Sequence, residues 1–332
     1  MGSVVSYELE LTIAVEAARE AANLCQDVRR EMAEGALTKD DRSPVTVADF
    51  GSQALVCRRL KEAFPDDAIV AEEDASALRS DENAGALAQV VDFVNRYQSG
   101  GAEAIQNWID MGNGEAGNRY WTVDPIDGTK GFLRQDQYAV AIALVEEGDV
   151  QVGVLASPAL PMSGQAEPGS LFTATRGSGA FQASLGGGTQ APIRVAGEDS
   201  NEAQRFVESV EAAHGNHALQ QAIASAAGIE EPPLRMDSQA KYGAVARGDA
   251  ILYLRLPSPK YADYREKVWD HAAGVLVVEE AGGRVTDVFG RRLDFGVGSR
   301  LEKNLGVVVS NGEIHDAVLE PLRKAFSNGE MS

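Results

Sequence analysis

The sequence predicts a mixed α and β protein, an α+β first half followed by an α/β second half. Helical periodicity opens the chain, where "LTIAVEAAREAANLCQDVRREM" repeats apolar residues at helical spacing. Short β-type runs follow, and "YAVAIALVEEG" and "VQVGVLASP" are joined by a Gly-Asp turn of the hairpin kind. Beyond the Pro- and Gly-bearing stretch "SPALPMSGQAEPGS", strands and helices mix. That stretch is the candidate boundary between a unit at 1–161 and a unit at 162–332.

The first helix is expected from about Tyr7 to Glu34, with Leu11, Ala14, Ala18, Ala21, Cys25, Val28 and Met32 on one stripe. A second is expected from about Thr46 to Phe64, after the polar loop in "GALTKDDRSPVTVADF". "DAIVAEE" and "YWTVDPID" read as strands, and the segment between them as helix plus polar loop, its latter half carrying little pattern. In the second half, "LFTATRG", "AFQA", "FVESV", "DAILYLRLP" and "LGVVVS" read as strands. Helices are expected near Ala218 to Ala227, from about Asp270, and near Glu313 to Phe326.

A chain of 332 residues exceeds the usual span of one core, so two domains or one large layered body is expected. The net charge of −20 repels a nucleic-acid backbone, which argues against polymer binding but leaves room for a small anion held by placed cations. No apolar run approaches the roughly 20 residues of a membrane span, and no membrane partner is expected. Cys25 and Cys57 are too few for a disulfide framework, which favours a reducing, cytoplasmic setting. The charged first helix does not read as a signal sequence; Gly2 and Ser6 fit the short myristoylation pattern, which "MGS" as a cloning leader also fits.

"WTVDPIDGTKGF" holds the most chemistry. Asp124 and Asp127 stand either side of Pro-Ile, so that both carboxylates and the carbonyl of Ile126 can face one point across a Pro-containing turn. Such hard oxygens suit Mg²⁺, and "DGTKG" offers backbone N–H groups and the Thr129 hydroxyl to a phosphate. The same letters also suit an ordinary turn. Glu72 and Glu73 end an apolar strand, where carboxylates belong at a rim. Asp49 reads as a residue in a helix's first turn and Asp270 as a helix N-cap. His271 lacks a paired His or Cys at metal-ligand spacing and reads as capping or packing.

In this order, "DRSPVTVAD", "AEED", "VDPIDGTKGF" and "VWDHAAG" resemble the lithium-sensitive, magnesium-dependent inositol monophosphatase superfamily, from about residue 7 to residue 325. The resemblance implies a layered αβαβα sandwich of the inositol monophosphatase and fructose-1,6-bisphosphatase type, with the metals at the junction of its two units. "VEAAHGNH", "MDSQAKYGAVARGDAILYLRLP" and "YREKVWDHAAG" resemble the 3′(2′),5′-bisphosphate nucleotidase branch. That implies hydrolysis of 3′-phosphoadenosine 5′-phosphate to AMP and phosphate, a role in sulfur metabolism, and the 3′-phosphosulfate analogue as second substrate.

By the same resemblance, two or three Mg²⁺ ions are held by Glu72, Asp124, the Ile126 carbonyl, Asp127, Asp270 and, through water, Asp49. Asp49, Glu72 and Thr129 are the implied catalytic residues, with Thr129 hydrogen-bonded to Asp49. Gly128, Thr129, His214, Ser238, Lys241, Arg255 and Asp270 are implied to hold the substrate, a small adenosine 3′,5′-bisphosphate, on a monomer or weak homo-oligomer. An inositol polyphosphate 1-phosphatase would keep the metal residues without needing "DSQAKY" and "YLRLP". A non-catalytic nucleotide sensor would be expected to lack at least one carboxylate; all five are present.

Overall fold

The computed structural model describes residues 6–34, 43–162, 168–197, 200, 203–210, 216–257 and 263–327. The chain opens with α1 (Glu8–Ala33) and α2 (Ser43–Ala63), then β1 (Ala68–Ala71), α3 (Ala84–Asn95) and α4 (Ala102–Asp110). Next come β2 (Arg119–Asp127), the short α5 (Thr129–Leu133), and β3 (Ala139–Glu146) and β4 (Asp149–Pro161). β5 (Pro168–Thr175), β6 (Ala180–Ser184) and β7 (Ala191–Ile193) complete a seven-stranded sheet in the order β1 to β7, parallel at β1–β2 and antiparallel elsewhere.

The remaining elements are β8 (Phe206–Glu208), α6 (His217–Ala226), β9 (Leu234–Arg235), α7 (Ala240–Ala246), β10 (Leu252–Arg255), α8 (Ala272–Glu280), β11 (Arg284–Thr286), β12 (Val307–Ser310) and α9 (His315–Ser327). Their strands form a second sheet in the order β11-β12-β10-β8-β9. The expected boundary at Pro161 falls in the β4–β5 connection, inside the first sheet; sheet membership changes after Ile193.

Alternation along the strands builds the layers. On β3, Val140, Ile142 and Leu144 join the core under α1 to α4, while Ala141, Ala143 and Val145 face the other way, toward α7 and α8. The far sides of α7 and α8 meet Tyr253, Val307 and Val309 of the second sheet. Phe206, Leu252, Leu254 and Val308 on that sheet's outer face pack against α6 and α9 through Ile223, Val318, Leu319 and Leu322. The order is helix, sheet, helix, sheet, helix. Small residues set the spacing of the middle layer: a Cβ on Gly274 of α8 would come within 2.4 Å of the Tyr242 ring on α7.

Several boundaries differ from expectation. α2 starts at Ser43, with Pro44 in the first turn where its missing N–H costs little, so Asp49 lies a turn deeper than expected. From Val47 to Cys57 the helix is buried all round, because α1, α3, α4 and the sheet enclose it. The β3–β4 turn is Glu147-Gly148, both at positive φ, and Asp149 already belongs to β4. No helix among the described residues is long and apolar enough to cross a membrane.

Candidate active site

In a regular strand Asp124 and Asp127, three residues apart, would point to opposite faces. The structure solves this with a bulge and not with the expected turn. Asp124 pairs with Ala141 and Asp127 with Ala139, so Pro125 and Ile126 together oppose Val140 alone. The extra residue returns both carboxylates to one side, and Pro125, with no N–H to give, suits the unpaired position. Ser52 on α2 pins the bulge by donating to the Pro125 carbonyl at 3.0 Å. Gly128, at φ +87°, then turns the chain into α5.

Asp49 approaches from α2 and is buried. Glu72 follows β1 and is exposed at the mouth, its carboxyl within hydrogen-bonding reach of Asp124. Gln53 on α2 holds this loop in place: its amide donates to the carbonyls of Ile109 (3.0 Å) and Glu73, and its oxygen accepts from the Glu73 N–H at 2.9 Å. The segment from Ser99 to Arg119, which carries no aligned motif, buttresses the same place. Gly112 and Gly114 flank the β1 backbone, with Ala71 N–H donating to Gly112 O and Gly114 N–H to Ile69 O, each at 2.8 Å.

The second half closes the site. Helix α7 brings Gln239 to the first sheet, where its N–H donates to Asp127 Oδ2 at 2.5 Å. The Gln239 side chain donates to Trp269 O at 2.8 Å and accepts from Gly274 N–H at 3.1 Å, locating the loop that carries Asp270. A cavity of about 310 Å³ lies between, its lining including Asp127, Gly128, Thr129, Ser238, Lys241, Arg255 and Asp270, with Asp237, Tyr242, Tyr253 and His271. Lys241 is buried, its ammonium 5.2 Å from the centre of the Tyr253 ring. Ser238 sits at φ +66°, with its Cβ 2.9 Å from where a Cβ on Gly128 would stand.

Burial dominates the electrostatics. It raises the carboxyls of Asp49, Asp124 and Asp270 well above their ordinary range, and neighbouring carboxylates add to the shift. Glu72 is exposed as a residue, but its carboxyl turns toward Asp124, and there the loss of water, Glu73 and Asp127 push it up to about 7. Asp127 is raised by burial too, against the opposing pull of Lys241, the Gln239 N–H and Arg255. Lys241 is lowered to about 8 by burial. Burial also acts against Arg255, but Glu266, Tyr253 and Asp270 outweigh it and hold the guanidinium above its ordinary value.

A cluster of carboxyls that repel one another fits a cation. Asp124 Oδ1 is buried without a hydrogen-bond partner, an oxygen left for a ligand to satisfy. The donors are oxygens alone, the set that a hard divalent ion such as Mg²⁺ takes. Glu266, Asp270 and His271 also place ligand atoms within 4.8 Å of one another. There, however, both Glu266 oxygens lie 3.2 Å from Arg255 Nε, and the His271 ring nitrogens pair with Tyr242 and Glu266.

Two expectations change. Thr129 Oγ1 donates to the Ile126 carbonyl at 3.4 Å and not to Asp49, because at the first position of α5 its hydroxyl falls back on the carbonyl three residues earlier. Asp270 is not the N-cap: α8 starts at Ala272 and His271 takes the N-cap place, its side chain turned inward to Tyr242 and Glu266. Lys241, expected to hold substrate, is buried and lines the cavity. His214 lies outside the described residues; His217 begins α6. Ser52, Gln53, Asp237, Gln239, Tyr253 and Glu266 were not singled out from spacing, although two buried glutamines in otherwise apolar surroundings are a signal of sorts. Cys25 and Cys57 are free, fully buried and shifted up by burial, which makes both thiols inert.

A model of the inositol monophosphatase family matches residues 7–326. The 3′(2′),5′-bisphosphate nucleotidase of Schizosaccharomyces pombe is 44% identical, over 95% of this chain and 95% of that protein. The 3′(2′),5′-bisphosphate nucleotidase 1 of Arabidopsis thaliana is 42% identical, over 98% of this chain and 99% of its own. Among solved structures, inositol monophosphatase from Anabaena (Nostoc) sp. superposes with a TM-score of 0.63 at 23% identity, covering 96% of this chain and 97% of that one. Thermotoga maritima IMPase gives 0.62 at 21% identity, covering 97% and 99%. The superpositions bear out the layered αβαβα fold, and with a family match over nearly the whole length, the chain belongs to the inositol monophosphatase family.

Proposed function

We propose that the protein is a phosphatase that hydrolyses 3′-phosphoadenosine 5′-phosphate to AMP and phosphate, and also accepts the 3′-phosphosulfate analogue. The observation that carries the reading is the cavity itself, which is lined both by the carboxylates Asp127 and Asp270 and by the cations of Lys241 and Arg255. One phosphate can then sit by the carboxylates while a second meets fixed positive charge. The full-length relatives named above support the same substrate.

In this reading residues 1–161 contribute most metal ligands, and residues 162–332 the nucleotide-binding groups and Asp270. Glu72, Asp124, the Ile126 carbonyl, Asp127 and Asp270, with Asp49 through water, would hold two to three Mg²⁺ ions. Bound there, magnesium supplies neutralisation of phosphate charge and a lower pKa for water. Thr129 and the backbone at Gly128 orient the phosphate from the start of α5. Glu72, the most exposed of these carboxylates, accepts the proton of the attacking water, with Asp49 behind it. As the new P–O bond forms, the bond from phosphorus to the 3′-oxygen breaks, and that oxygen takes a proton to leave AMP. Lys241, Arg255 and Ser238 fix the 5′-phosphate and His214 the adenosine. Free, buried thiols accord with a reducing cytoplasmic setting, and Li⁺ inhibition is expected at millimolar concentration.

The test is phosphate release from 3′-phosphoadenosine 5′-phosphate, inositol 1,4-bisphosphate, inositol 1-phosphate and fructose 1,6-bisphosphate, with Mg²⁺ and with Asp127→Asn as control. Preference for the nucleotide, lost in Asp127→Asn, is the expected result. Preference for an inositol phosphate would overturn the substrate, and binding without release from any of them would mark a nucleotide sensor.

A further inference from the structure

From the cavity wall a chain of hydrogen bonds runs through Glu266, a residue to which the proposed chemistry gives no role. Arg255 Nε donates toward both oxygens of Glu266, each at 3.2 Å. Glu266 Oε2 lies 3.3 Å from His271 Nε2, and His271 Nδ1 lies 2.6 Å from the Tyr242 hydroxyl. With the phenol donating to Nδ1, the imidazole carries its proton on Nε2 and gives it to Glu266. Tyr242 follows Lys241 on α7, and its ring stands edge-on to that of Tyr253, 5.3 Å between centres, over which the Lys241 ammonium sits. The chain thus ties strand β10, the Glu266 segment, the start of α8 and helix α7; the half-buried Arg255 stands at one end and the buried Lys241 is next in sequence to Tyr242 at the other. Glu266 and His271 are nearly inaccessible, and Glu266 is not part of the cavity lining.

We infer that Glu266, oriented by His271 and Tyr242, is a positioning residue that sets the preference for substrates bearing a second phosphate by fixing the guanidinium of Arg255. A guanidinium held along its Nε edge by a carboxylate loses rotamer freedom before the ligand arrives, so less is lost when a phosphate binds. An alternative in which Glu266 only balances charge in the core predicts equal damage to every substrate. This inference rests on the nucleotidase reading, and the experiment separates the two.

The Mg²⁺-loaded wild type, Glu266→Gln, Tyr242→Phe, Arg255→Gln and the double variant Glu266→Gln/Arg255→Gln are assayed on 3′-phosphoadenosine 5′-phosphate and on 3′-AMP, which lacks the 5′-phosphate. Thermal melts check folding. The ratio of kcat/KM for the bisphosphate to that for 3′-AMP is expected to fall about tenfold in Glu266→Gln, the scale of one charge-assisted hydrogen bond, with the change in KM. Tyr242→Phe, which keeps its shape, shifts the ratio in the same direction by a smaller factor. In the Arg255→Gln background Glu266→Gln adds no further loss of ratio. An unchanged ratio in folded Glu266→Gln and Tyr242→Phe, or losses that multiply in the double variant, overturns the positioning role alone. A wild type that does not prefer the bisphosphate overturns the nucleotidase reading and this inference together.

Discussion

At the scale of single residues the site is a set of carboxyls that burial keeps from ionising freely. Asp127 is expected to be indispensable: Asp127→Asn should lose more activity than the roughly 10–100-fold that substitutions outside the metal ligands cost, measured as kcat under saturating Mg²⁺. Glu72 gives a second test. Its folded-state pKa of about 7 lies above the 4.5 of a free glutamate. The metal-free fold therefore holds an extra proton, and the stability it confers, complete below pH 4.5, is lost as pH rises through 7. Asp49, Asp124 and Asp270 act in the same direction. In the proposed site Mg²⁺ would replace that proton, so the rise in melting temperature on adding Mg²⁺ to EDTA-treated protein should be larger at pH 8 than at pH 5.5. An equal rise at both would speak against these carboxyls as the site.

Elements position those residues. The β2 bulge decides which side of the sheet Asp127 faces, and α7 meets it through Gln239. Gln239→Met keeps the volume but leaves Trp269 O and Gly274 N–H without partners, at about 1–3 kcal/mol each. Because the Asp270 loop depends on those bonds, kcat/KM should fall about 10–100-fold in protein that still folds. On the far side, His315 at the start of α9 joins Ser310 of β12 (Nδ1, 2.8 Å) to Thr286 of β11 (Nε2, 2.9 Å). Burial lowers its pKa from 6.5 to about 4. The unfolded chain takes up the proton first, so stability present above pH 6.5 is lost as pH falls through 4, by up to about 3 kcal/mol. Urea melts should show His315→Gln less stable at pH 7.5 yet less sensitive to acid than the wild type over that window.

Across the whole molecule, one core runs from the first sheet through α7 and α8 into the second sheet, with Ala141, Leu155, Leu276, Tyr253 and Val309 all in it. A cleft between loosely joined units would allow two transitions. A shared middle layer predicts one cooperative unfolding, checked by equality of calorimetric and van't Hoff enthalpies; two resolved transitions would contradict it. The site lies where this layer meets the bulged strand β2 of the first sheet, and Arg134 of the loop after α5 reaches across to Asp237 just before α7.

Local chemistry is what sequence alone determined here. Residue types with strong short-range meaning, such as the carboxylates of "VDPID" and "AEED", the glycine after Asp127 and the apolar periodicity of α1, are written in neighbouring letters. Hence the mixed α and β class could be read from the letters, whereas the carboxylate set and seven of the fifteen residues that line the cavity came from the resemblance to a known family. Only the tertiary structure decided that Asp124 and Asp127 share a face, since a bulge depends on pairing with β3. The same holds for Gln53, Gln239 and Glu266, whose roles arise from partners far away in the chain. It holds too for Lys241, whose burial beside the Tyr253 ring of the second sheet no local pattern announces. A buried polar group gains its function from what satisfies it, and that partner is chosen by packing rather than by spacing along the chain.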